Sequence, residues 1–182
     1  RWRGLLLDLS RHFFGKPTLF KFIDEMAAYK LNVLHLHLTD DPGWRLEIPG
    51  YPKLTEKAVA ADGTRQFFTA QDMREIVAYA ASRHIIVVPE IEMPSHTGAA
   101  GAAYPELFNG GNVFDPAKPD TYAFVRAVFT EVATLFPGPY IHFGGDEVGD
   151  DAWKDASDVE ALRSELGLKD QKAVESYFGR QV

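Results

Sequence analysis

Four short apolar runs stand out along the chain, and each is followed by apolar residues at helical spacing. They cover 4–8 (GLLLD), 33–38 (VLHLHL), 85–91 (IIVVPEI) and 140–143 (YIHF). Runs of this length bounded by turn-forming residues predict buried strands. After the first run, Leu19, Phe22, Ile23 and Met26 share one helical face, with Pro17 near the helix start. Thr69 and Asp72 resemble a capping box ahead of Met73, Ile76, Val77 and Ala80. Tyr122, Val125, Phe129, Val132 and Phe136 form a third stripe. Ser157 with Glu160 opens a fourth helix that Gly167 stops, and further helix is expected from Asp170 onward. These stripes form core and carry no functional message.

Strand–helix alternation predicts a parallel α/β sheet. The long connections, 39–68 and 93–118, are rich in Gly and Pro and leave the C-terminal ends of the second and third strands. Polar residues gather where strands end: Asp8, Asp40, Glu90, Glu92 and Asp146. In a (β/α)8 TIM-type barrel that rim holds the chemistry, and an open doubly wound sheet uses the same edge. No repeat, low-complexity tract or interdomain linker divides the chain, so residues 1–182 read as one unit. Its four strand–helix units amount to half a barrel.

Composition narrows the partners. A hydrophobic content of 46% and a charged content of 25% are those of an ordinary globular domain. The net charge of −7 is spread without a basic stripe, which argues against nucleic acid and anionic membrane. A neutral ligand such as a sugar fits. The absence of cysteine excludes disulfides and thiolate metal sites. These residues contain no signal-peptide pattern and no run of 18 apolar residues, and the compartment stays open.

Glycosidic bond cleavage needs an acid for the leaving oxygen and a group that stabilises an oxocarbenium-like transition state. The segment IHFGGDEVG offers adjacent carboxylates, Asp146 and Glu147, directly after a strand and two glycines. Each disfavours ionisation of the other, so one can remain protonated near neutral pH; a solvated acidic loop is the plainer alternative. His35 and His37 alternate on the second strand and face one side. With His96, Asp40 or Asp41 they suit a metal, or they are satisfied inward-facing histidines. Arg11 follows the first strand and is placed to fork onto sugar hydroxyls or to pair with Asp8. Trp44 and Trp153 lie in post-strand segments where rings can stack on sugars or simply pack.

Four segments together resemble family-20 glycoside hydrolases, the β-N-acetylhexosaminidases. They are RGLLLDLSRHFF at 3–14, LNVLHLHLTDDPGWR at 31–45, VVPEIEMPSHT at 87–97 and IHFGGDEV at 141–148. The H-x-G-G-D-E core is specific to that family. The match runs from end to end of the chain but covers about the first half of the family's catalytic barrel.

The resemblance implies an exo-acting enzyme that releases terminal N-acetylglucosamine or N-acetylgalactosamine from glycans, with retention and without cofactor or metal. The substrate's own acetamido oxygen attacks the anomeric carbon and forms an oxazolinium. Glu147 corresponds to the general acid and later base, and Asp146 to the group that orients the acetamido. Asp40 and His96 correspond to a relay behind the acid, and Arg11 to the arginine that grips outer hydroxyls. Two departures stand out: Ser95 where glycine is common, expected to alter the turn that places His96, and Glu92 where aspartate is frequent. Later strands of the family supply tryptophan walls and a tyrosine, so the isolated chain is expected to have little or no activity. Its open edges would be covered by a second copy or by the C-terminal half of the barrel. The rival readings are a metal-dependent hydrolase built on His35, His37 and His96, and a non-catalytic sugar-binding half-barrel.

Overall fold

The computed structural model describes residues 1–182. The chain begins with strand β1 (Gly4–Asp8), helix α1 (Lys16–Ala28) and strand β2 (Val33–His37). A short hairpin of β3 (Thr39–Asp40) and β4 (Gly43–Trp44) follows, then α2 (Lys53–Glu56), α3 (Ala70–Ala81) and β5 (Ile86–Glu90). The remainder is helical: α4 (Gly98–Ala103), α5 (Pro119–Leu135), α6 (Ser157–Glu165) and α7 (Gln171–Gln181). The long connections after β2 and β5 therefore carry short elements of their own.

Strands β1, β2 and β5 form one parallel sheet in the order β1-β2-β5. Its register aligns Leu6 with His35 and His35 with Val88; two residues on, it aligns Asp8 with His37 and His37 with Glu90. Side chains alternate across a strand, so these rows share one face. On the other face Leu7, Leu34, Leu36 and Val87 join a core with Leu19, Ile23 and Met26 of α1 and Met73, Ile76 and Ala80 of α3. Those helices cover only that side. On the opposite face Leu6 remains 51% exposed and Ile86 40%.

The segment 140–143 is not a full strand. It makes a single parallel bridge, Glu90 with His142, held by His142 N–H to Pro89 O at 2.9 Å and Ile91 N–H to His142 O at 3.0 Å. Pro137 and Pro139 precede it, and Gly144 turns the chain away at φ 69°. No further strand lies outside it, so Tyr140 and Phe143 stay exposed.

Helix ends follow their local chemistry. Thr69 Oγ1 accepts from Asp72 N–H at 3.1 Å, and Asp72 accepts from Thr69 N–H at 3.1 Å, a complete capping box, worth about 1 kcal/mol. Pro17 sits in the first turn of α1, where its missing N–H costs nothing. Gly167 ends α6 at φ 64°, with Leu168 N–H bonded to Arg163 O at 2.9 Å. The start of α6 differs from expectation: Ala156 precedes it without a side-chain cap, and Glu160 instead pairs with Arg163 at 2.7 Å. The buried stripe of α5 is also turned, running through Phe124, Val125, Val128, Val132 and Leu135. Phe124 is drawn in by the rings of Trp44, Tyr51, Tyr104 and Phe114 at 4.8–6.1 Å, while Tyr122 packs sideways on Phe178 of α7. No helix is long and apolar enough to cross a membrane.

Candidate active site

The parallel register builds the site. Asp8, His37 and Glu90 end their strands side by side, and the β3–β4 hairpin then brings Asp40 back over them. Buried Arg45 fixes the hairpin by donating to Leu9 O at 3.1 Å and Ser10 O at 2.6 Å, and Ser10 Oγ donates to Gly43 O at 2.7 Å. A cavity of about 290 Å³ opens at this edge, lined by Asp8, Arg11, Asp40, Glu92, Asp146 and Glu147 among others. A larger cavity of about 630 Å³ between the hairpin, α2 and α4 is lined by none of these groups; Asp41, Trp44 and Arg45 face it instead.

His37 is clamped between two carboxylates, with Nδ1 2.8 Å from Glu90 Oε2 and Nε2 3.0 Å from Asp40 Oδ2. A neutral imidazole has one N–H, so serving both acceptors requires the imidazolium. Burial opposes that charge, but the bonds to Glu90 and Asp40 outweigh it and push His37 up to about 9. Glu90 meets His35 Nε2 at 2.9 Å and His142 Nδ1 at 2.9 Å as well. Burial raises its proton affinity, yet the histidines around it hold its carboxyl well below the usual range.

Arg11 forks between Asp8 Oδ2 at 2.7 Å and Asp40 Oδ2 at 2.6 Å, and its side chain is still half exposed. His96 stands on the turn after β5, with Nε2 3.1 Å from Glu147 Oε2 and Nδ1 3.4 Å from Asp40 Oδ1. Asp40, His96 and Glu147 thus lie in sequence, from buried anion to exposed acid. Ser95 itself needs no left-handed backbone; the left-handed residue of the turn is His96, at φ 53°. Ser95 Oγ instead donates to Asp146 O at 2.5 Å, tying the turn to the carboxylate loop.

Asp8, Arg11, Asp40, His96, Asp146 and Glu147 therefore converge. Trp44 and Trp153 do not join them. Both are buried, with indole N–H bonded to Leu46 O at 2.7 Å and Phe114 O at 3.0 Å, so they pack and do not stack on a ligand. His35, His37 and His96 do not bring three donor atoms within 4.8 Å of one another. Two other groups do, His35–Glu90–His142 and Asp40–Asp41–His96; in each, imidazole nitrogens face carboxylate oxygens at 2.9–3.7 Å, while His35 Nε2 and His96 Nδ1 have no hydrogen-bond partner and His142 Nδ1 accepts from Gly144 N–H at 3.0 Å. Glu90 was legible only as a polar strand end, and Glu92 as that and as a departure from the family's aspartate, since their partners depend on pairing between strands.

A parallel strand–helix frame with paired acids, an imidazole and an arginine at its carboxyl edge defines an α/β domain equipped for acid–base chemistry. Residues 1–182 match the model of the glycosyl hydrolase family 20 catalytic domain, and the chain belongs to that family. It is 40% identical to a beta-hexosaminidase of Akkermansia muciniphila, over 98% of this chain and 41% of the relative. It is 43% identical to a beta-hexosaminidase of Porphyromonas gingivalis, over 100% of this chain and 26% of the relative. The family-20 exo beta-N-acetylglucosaminidase of Vibrio harveyi, solved in complex with N-acetylglucosamine, superposes with a TM-score of 0.92 at 36% identity, over 100% of this chain and 33% of that one. The chain thus spans less than half the length of these relatives.

Proposed function

We propose that this chain supplies the acid–base half of the site of an exo-acting β-N-acetylhexosaminidase, within the first four strand–helix units of a (β/α)8 barrel. The observation that carries this is the line Asp40–His96–Glu147 with Asp146 next to its end. Glu147, whose side chain is 75% exposed, protonates the glycosidic oxygen as the bond to the anomeric carbon breaks. The substrate's acetamido oxygen forms the new bond to that carbon, and Asp146 orients the acetamido and balances the charge on the oxazolinium. Glu147 then takes a proton from the water that opens it. His96, backed by Asp40, accepts or returns charge as Glu147 changes state. Arg11 offers its free N–H groups to outer hydroxyls of the terminal sugar.

The site is one wall of a pocket, so the isolated chain is expected to turn over at most traces of substrate. The uncovered sheet face, with Leu6 and Ile86 exposed, is where the remaining polypeptide or a second copy would lie. The test uses the full-length protein on two aryl glycosides. Release of nitrophenol from the β-N-acetylglucosaminide with little from the plain β-glucoside is expected, because the glucoside lacks the internal nucleophile. Equal turnover of both would overturn the substrate-assisted reading.

A further inference from the structure

Glu92 is 1% exposed, and no role above uses it. Its backbone N–H is fixed on Thr39 Oγ1 at 2.9 Å. Its carboxyl group fills the space where a side chain at Gly144 would begin. No N–H or O–H donor reaches either of its oxygens, and a buried carboxylate anion without a donor is strongly disfavoured. Asp146 lines the same cavity as Glu92, and its carboxylate is the nearby anion that acts on Glu92 most strongly. Two facing carboxylates cannot both stay ionised. One proton satisfies both, and it belongs on Glu92, which is buried, because Asp146 reaches solvent.

We propose that Glu92 is a positioning residue for Asp146: as a neutral acid it donates a hydrogen bond to the Asp146 carboxylate and turns the other oxygen of that carboxylate toward the ligand. The proposal rests on the acetamido-orienting role given to Asp146 above. The surrounding charges agree with it. Burial, then the charges of Asp146 and Glu90, push Glu92 up to about 8, with His37 pulling the other way. Arg11, the permanent cation lining the same cavity, is engaged by Asp8 and Asp40. Above that pH Glu92 becomes an anion, its donor is lost, and Asp146 is repelled from its position.

The experiment follows turnover against pH in the full-length protein, using an activated aryl β-N-acetylglucosaminide. Such a leaving group needs little protonation, which suppresses the alkaline limb that Glu147 would otherwise impose. The wild type should still lose kcat near pH 8. In Glu92→Gln the amide donates without titrating, so that limb should vanish while kcat falls by no more than about tenfold. In Glu92→Leu, which has no donor, kcat should fall by about 10² or more with a smaller change in KM. An unmoved limb in Glu92→Gln, or equal damage in Glu92→Gln and Glu92→Leu, overturns the proposal. Infrared difference spectroscopy supplies a readout without turnover: the wild type minus Glu92→Gln spectrum should show a protonated carboxyl band at neutral pH, apart from any that Glu147 contributes to both. Lack of that difference band overturns the proposal even in an active enzyme. If the wild type hydrolyses no β-N-acetylhexosaminide, the functional reading fails, and the band alone decides whether Glu92 holds the proton.

Discussion

His96 Nε2 lies 3.1 Å from Glu147 Oε2, and both residues hold a left-handed backbone at φ 53°. A non-glycine residue in that region costs on the order of 1–3 kcal/mol and persists where its surroundings over-determine it. Here the determinants are adjacent: the Ser95 hydroxyl holds the Asp146 carbonyl one residue before each of the pair. Two neighbouring residues on each segment thus meet their counterparts, which sets the imidazole on the acid with little freedom to drift.

That contact makes a coupling prediction. Asp40→Asn and His96→Ala should each reduce kcat/KM, on the order of 10²-fold or more, through the same proton affinity at Glu147. The double variant should lose little more than the worse single one. Both limbs of the pH–rate profile should be compared in variants whose melting shows a retained fold. Losses that add, with an unmoved profile, would make His96 a packing residue.

The two carboxylates should separate by leaving group. Glu147→Gln removes the proton donor, so substrates with poor leaving groups suffer most and activated aryl glycosides keep more of their rate. Asp146→Asn should damage both kinds alike, because acetamide orientation precedes departure of any leaving group. Losses on the order of 10²–10⁴ are expected for each. A plot of log kcat/KM against leaving-group pKa should be steep for Glu147→Gln and near the wild-type slope for Asp146→Asn. Parallel plots would mean the roles are wrongly assigned.

How much of this was legible in the chain depended on whether the signal was local. Three strands and the capping box at Thr69 were, because apolar runs and a capping pair act within a few residues. The convergence of Asp40, His96 and Glu147 was legible through motif resemblance alone; nothing in local periodicity says that residue 96 meets residue 147. The row Asp8–His37–Glu90 needs the register of two parallel pairings, which a single strand does not encode. Tertiary packing also overrode local pattern: the rings around Phe124 rotate α5 away from its expected stripe, and 140–143 lacks the outer neighbour that would complete a strand. The tryptophans failed as ligand platforms because each indole N–H found a backbone carbonyl inside the core.

Gly144 should tolerate no side chain. Its φ of 69° is left-handed, and a Cβ there would run into the Glu92 carboxyl group. Gly144→Ala should therefore cost the backbone strain of about 1–3 kcal/mol and also displace Glu92 and the adjoining Asp146. Gly167 is the control: its φ of 64° is similar, but nothing lies within 4 Å of its Cβ position. Gly167→Ala should lower the melting temperature without affecting turnover, whereas Gly144→Ala should lose both. Comparable activity in the two variants would show that Glu92 and the carboxylate loop can move aside.

The clamp on His37 predicts how stability responds to pH. Its proton affinity is raised from an ordinary value of 6.5 to about 9 in the folded protein, so between those limits the folded state holds a proton that the unfolded chain has released. Stability from this group is fully present below about pH 6.5 and is lost as pH rises toward 9. At the full shift it amounts to roughly 3 kcal/mol at most. Glu92 acts in the same direction over a lower window, from 4.5 to about 8, because it too is protonated in the folded state and ionised in the unfolded one. Comparison with variants separates the two contributions. The gap in denaturation midpoint between the wild type and His37→Gln should shrink steadily from pH 6.5 to 9, while Glu92→Gln should flatten only the part below about 8. The His37→Gln gap should also be largest at the acidic end, where the imidazolium bridges Glu90 and Asp40 and its removal leaves two buried anions without a shared donor. A gap that stays constant across this range would show that His37 is neutral, with a single N–H and one of its two carboxylates protonated.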